Sequence, residues 1–111
     1  MREAELKTKV MAWLAKQPAT YAIKNWGGPM AGAGRADITM CVGGLYASIE
    51  LKVGNNTPTH LQLATGRKVQ KAGGRFAVAW SLDEVKEVWG ELFQLAANLG
   101  LLTALEGKSE A

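Results

Sequence analysis

Ala36–Val53 reads ADITMCVGGLYASIELKV, two β-type runs joined by Gly43-Gly44. Both glycines can take the positive φ of a tight primed turn, so the pair predicts a two-residue β-hairpin. That turn fixes the register: Val42 faces Leu45, Cys41 faces Tyr46, and Asp37 comes directly opposite Glu50. Side chains alternate along a strand, so Ile38, Met40, Val42, Ala47, Ile49 and Leu51 share one wholly apolar face. The other face carries Thr39, Tyr46 and Ser48, with Asp37, Glu50 and Lys52 crowded at the end away from the turn. Like charges opposite each other destabilise a sheet. Either these acids are solvated with Lys52 as counter-ion, or a cation belongs between them, and oxygen ligands suit a hard ion such as Mg²⁺ or Mn²⁺.

Before the hairpin, Leu6, Val10, Trp13 and Leu14 fall at helical spacing and predict an amphipathic helix over Arg2–Lys16, ending near Gln17-Pro18. Glu3 lies in line with Leu6, Val10 and Leu14. It is either a site residue or an acid favoured in the first helical turn by the helix dipole. Tyr21–Trp26 predicts a short strand. Gly27, Gly28, Pro29, Gly32 and Gly34 then form a loop ending in Arg35, over which a ligand's backbone can approach Asp37 closely. The segment GAGRAD opens no helix, which excludes a dinucleotide-binding turn.

After the hairpin, Thr57 as N-cap and Pro58 at the first helical position predict a second helix to about Ala72, stopped by Gly73-Gly74. Gly66 in its interior is locally unfavourable by about 1 kcal/mol relative to alanine, which implies a close contact there. Arg75–Trp80 predicts a strand covered on both faces, parallel to Leu45–Val53 through a right-handed crossover. Ser81-x-x-Glu84 is a capping box opening a third helix to about Leu99, with Val85, Val88, Trp89, Leu92 and Ala96 as its stripe. The expected fold is therefore α/β: helix, three antiparallel strands, helix, strand, helix, giving a four-stranded mixed sheet flanked by helices.

At 111 residues the chain fits a single domain, with a core over about 2–99 and a frayed tail over 104–111. Hydrophobic residues at 48% argue against disorder, and no apolar run approaches the length of a membrane span. The charged start MREAELKTKV lacks the apolar centre of a signal peptide, and the lone Cys41 fits a reducing compartment, so the expected location is cytoplasmic. Met1–Trp80 holds eleven Lys or Arg against four acids, net +7, whereas the remainder is −4. That asymmetry suits a polyanionic partner, or else reflects ordinary solvated lysines.

Asp37 followed by Glu50-Leu51-Lys52 on the next strand, in this order of elements, resembles the PD-(D/E)XK nuclease superfamily. Gly34-Arg35-Ala36-Asp37, Glu50-x-Lys52, Thr57-x-x-x-x-Gln62 and Ala72-Gly73-Gly74 resemble, more narrowly, a stand-alone virus-type replication-repair nuclease domain over nearly residues 3–88. The resemblance implies a restriction-endonuclease-like core and an Mg²⁺ or Mn²⁺ cofactor. It implies metal ligation by Glu3, Asp37, Glu50 and the backbone carbonyl of Leu51, with Glu5 as the alternative to Glu3. Lys52 would position the attacking water or neutralise charge on the phosphate, or else be a plain salt-bridge partner. Gln62 would orient Lys52 or a phosphate. His60 is not required by the pattern.

Arg35, Arg67, Lys68, Lys71 and Arg75 are the candidates for contacts to a DNA backbone. The expected activity is a metal-dependent DNA endonuclease acting on branched or duplex DNA, similar to Holliday-junction-cutting enzymes. Symmetrical cutting would require a homodimer, for which Phe93, Leu101, Leu102 and some of the four tryptophans either supply apolar surface or are simply core. The alternative is a module of nuclease-like fold that grips DNA for a replication or repair partner without cutting it.

Overall fold

A computed structural model describes residues 1–25 and 34–106. The elements run α1 (Glu3–Leu14), β1 (Thr20–Lys24), β2 (Ile38–Val42), β3 (Leu45–Leu51), α2 (His60–Lys71), β4 (Arg75–Ala79), α3 (Leu82–Asn98) and α4 (Leu101–Glu106). The four strands form one sheet in the order β1-β2-β3-β4. The β1–β2 and β2–β3 pairs are antiparallel and β3–β4 is parallel, which is the mixed sheet that the sequence implies. The hairpin register is Val42↔Leu45, Cys41↔Tyr46 and onward to Ile38↔Ile49. Gly43 and Gly44 carry the turn at φ +59° and +92°, values open to glycine at little cost.

The apolar hairpin face is the centre of the core. Ile38, Met40, Val42, Ala47, Ile49 and Leu51 are buried there against Leu6, Val10 and Leu14 of α1 and Val85, Val88 and Leu92 of α3. Trp89 meets Trp13 edge-on at 5.5 Å and stacks on Phe93 at 4.8 Å, while its Nε1 donates to Thr20 Oγ1 at 2.8 Å. The helix α2 lies over β3 and β4 on the other face. It is drawn close by Gly66, where an added Cβ would stand 2.3 Å from the Phe76 ring. The close contact expected at that glycine is an aromatic ring.

Several boundaries differ from expectation for local reasons. The cap of α2 is Thr59, not Thr57: Thr59 Oγ1 accepts from Gln62 N at 3.1 Å and Gln62 Oε1 accepts from Thr59 N at 2.8 Å. This reciprocal box satisfies two helix-end groups at once, an arrangement Thr57 has no Gln or Glu three residues on to make. At α3, Ser81 Oγ accepts from Glu84 N at 3.2 Å, but the Glu84 carboxylate takes the Trp80 N–H instead of that of Ser81. The additional α4 follows Gly100, whose φ of +76° turns the chain back so that Leu102 lies against Gly43. The helix α4 takes in residues 104–106. Trp26 and the glycines Gly27, Gly28 and Gly32 of the expected loop, with Pro29, lie outside the described residues, as do residues 107–111. Among the described residues no helix is long and apolar enough to cross a membrane.

Candidate active site

Asp37 immediately precedes β2 and continues the hairpin register to Glu50 on β3, so the two acids expected to face each other share one end of the sheet. Asn25, just after β1, fixes the backbone on either side of Asp37. Its Nδ2 donates to Ala36 O and to Thr39 Oγ1, both at 2.9 Å, and its N donates to Asp37 O at 2.8 Å. The Asp37 carboxylate is held at both oxygens. Oδ2 accepts from Leu51 N at 2.8 Å, and Lys7 Nζ stands 3.1 Å from Oδ1.

Glu50 is 1% exposed, and its Oε1 has no hydrogen-bond partner among the described residues. A buried acceptor left unpartnered is costly, and a buried charge more so. Burial first, then the Asp37 carboxylate beside it, push the Glu50 pKa up from 4.5 to about 8, against the opposing pull of Lys52. Lys52 Nζ lies 3.9 Å from Glu50 Oε2, on the same side of the strand end. Lys52 N donates to Ala79 O at 3.0 Å, which continues the β3–β4 pairing past the last strand residue and holds Lys52 in place.

The third expected acid is not gathered with these two. Among the described residues no three His, Cys, Asp or Glu side chains come together as a metal-holding group. Glu3 is half-buried on α1, and Lys7, one turn further along the same helix, is the residue that reaches Asp37. Glu5 is exposed and serves the helix end, its Oε1 accepting from Arg2 N at 3.4 Å and Arg2 Nε at 3.3 Å. Gln62 is engaged through its Oε1 in the α2 capping box. His60 is exposed as the first residue of α2.

The expected cationic contacts divide. Arg35, Arg67, Lys68 and Lys71 are exposed, whereas Arg75 pairs with Glu91 of α3 at 3.3 Å and donates to Phe76 O at 3.1 Å. Phe93 is packed on Trp89, and Leu101 and Leu102 are half-buried beside the hairpin turn. Leu95 and Leu99 of the α3 end and Leu105 of α4 are exposed apolar residues.

Sequence reasoning missed Lys7 and Asn25. Lys7 follows Glu3 by four residues on one helix face, a signal present in the sequence, but nothing local in the chain marks Asn25. Comparison of the chain with protein-family models, curated proteins and solved structures found no match.

Proposed function

We propose that the chain is a metal-dependent DNA endonuclease of the cytoplasm, hydrolysing phosphodiester bonds in branched or duplex DNA with Mg²⁺ or Mn²⁺. The observation that carries this reading is the buried, unpartnered Glu50 Oε1 beside Asp37 and within reach of Lys52. Two carboxylates offering only oxygen donors, one of them unsatisfied, fit a hard divalent cation better than they fit an apolar interior. Asp37 and Glu50 would hold the ion, with the Leu51 carbonyl as a further ligand; Glu3, the other ligand the family resemblance implies, does not stand with them as a group and would have to move to join them. Such an ion lowers the pKa of bound water and polarises the scissile phosphate.

The chain's own groups would do the rest. Asp37, fixed by Leu51 N and by the Asn25 contacts, keeps one side of the site rigid. Lys52 offers its ammonium to charge developing on the phosphate. Exposed Arg35, Arg67, Lys68 and Lys71 would bind the DNA backbone without reading sequence. A homodimer would place two sites for symmetrical cutting, and exposed Leu95, Leu99 and Leu105 offer apolar surface for it.

A second reading is favoured by one observation. Lys7 on Asp37 and Lys52 on Glu50 form a lysine–acid network with no third acid among the described residues, as a DNA-gripping module without catalysis could retain. Incubation with labelled four-way junction, duplex and single-stranded DNA, with and without Mg²⁺ or Mn²⁺, separates the two. Metal-dependent cleavage of any of these is the expected result; binding without cleavage leaves the module.

A further inference from the structure

A groove runs between α2 and the outer face of the hairpin, and it brings together two of the proposed backbone-binding cations, Arg35 and Lys68, with Tyr46. It runs as two stretches of about 540 and 250 Å³ that share Tyr46, Thr65 and Val69. One end opens at the hairpin turn beside Gly44 and Gly74. The other reaches Arg35 and Ala36, the residue before Asp37. The groove exists because α2 is seated over β3 and β4 by the Gly66–Phe76 contact, and among the described elements no helix packs on β1 and β2 on that face. Tyr21 is accordingly 72% exposed and Tyr46 49%.

The lining chemistry is one-sided. Lys68 on the α2 wall and Arg35 at the far end are its charged residues, and no acid lines either stretch among the described residues. Thr39 and Ser48 supply hydroxyls along the floor, and Tyr46 offers an exposed ring common to both stretches. An aromatic face flanked by cations and free of acids matches stacked bases on a phosphate backbone. In an intact duplex the base faces are hidden within the stack, so a tyrosine ring gains little there.

We infer that this groove binds an unpaired nucleic-acid strand, stacking a base on Tyr46 and holding phosphates on Lys68 and Arg35, and leads it to the Asp37–Glu50 end of the sheet. The inference rests on the endonuclease reading for what happens at that end, and deepens it by assigning a substrate with an unpaired arm.

The test is fluorescence anisotropy with a fluorescein-labelled oligo-dT of about twelve nucleotides, within the span a single such site covers. A duplex of equal length is the comparison, and EDTA keeps cleavage out of the readout. The single strand is expected to bind more tightly than the duplex. Tyr46→Ala is expected to weaken single-strand binding about five- to hundredfold, with Tyr46→Phe restoring it. Lys68→Ala, at an exposed helix position that leaves folding intact, is expected to lower the salt slope of log K by about 0.7.

Equal binding of both probes, or single-strand binding unchanged in both alanine variants, overturns the assignment. So does a dimer of this chain that Lys68→Glu dissociates while no oligonucleotide binds. Tyr46-dependent binding without metal-dependent cleavage overturns the endonuclease reading alone, and cleavage without Tyr46-dependent binding overturns the groove alone.

Discussion

Lys7 Nζ lies 3.1 Å from Asp37 Oδ1, so the first helix delivers a cation to the acid pair where an acid was expected. In the metal-free protein this ammonium pairs with the charge of Asp37. It also competes with any divalent ion drawn to Asp37. The two side chains are 25% and 20% exposed, which screens the interaction to the order of 1 kcal/mol. Lys7→Met is therefore expected to tighten Mn²⁺ binding by about fivefold in titration calorimetry. An unchanged or weaker affinity would show that Lys7 and the ion do not compete.

Lys52 is the cation nearest Glu50 and is 12% exposed at its side chain. Lys52→Ala is expected to reduce metal-dependent cleavage about a hundredfold or more, the scale of losing one preorganised charge donor. Mn²⁺ binding and the far-UV circular dichroism spectrum should persist. Cleavage at the wild-type rate would remove Lys52 from the reaction.

The hairpin was legible in the sequence because Gly43-Gly44 leaves one register, and that register carries both the core face and the Asp37–Glu50 opposition. The sheet order followed from strand, helix, strand. What the sequence did not disclose depends on choices between similar local options. Thr57 and Thr59 both look like caps, and only the reciprocal bonds with Gln62 select the second. Glu3 and Lys7 share a helix face, and only the seating of α1 on the sheet decides that Lys7 meets Asp37. Arg75 reads as a phosphate contact until α3 brings Glu91 to it.

Gly66→Ala sets helix propensity against packing. Propensity alone would stabilise α2 by about 1 kcal/mol, but the new Cβ would stand 2.3 Å from Phe76 Cδ2 and 2.5 Å from Cε2. The ring must shift, and such overpacking costs about 1–3 kcal/mol. A net loss in urea-denaturation stability is expected, partly relieved by Phe76→Leu in the same chain. A gain in stability would mean that the ring moves freely.

Gln62 can be separated from catalysis through its cap. Thr59→Ala and Gln62→Ala each break the box and are each expected to cost about 1 kcal/mol of stability. If Gln62 acts only at the helix end, the two variants lose cleavage equally and far less than Lys52→Ala. A Gln62→Ala enzyme as stable as Thr59→Ala but much slower would assign Gln62 to the reaction, as the family resemblance implies.

Glu50 makes stability fall with rising pH. Its folded pKa, about 8, lies above the unfolded 4.5, so the folded chain binds the extra proton between those values. The contribution is fully present below pH 4.5, is lost as the pH rises toward 8, and is flat beyond. Glu50→Gln, isosteric and never charged, should remove that slope, so the difference in denaturation midpoint between variant and wild type grows from pH 5 to pH 8.5. Because a ligating carboxylate must give up its proton, Mn²⁺ should stabilise the wild type more at the higher pH and leave Glu50→Gln nearly unmoved. Identical pH slopes for the two proteins would mean that Glu50 is charged in the folded state throughout, with its charge met by Lys52.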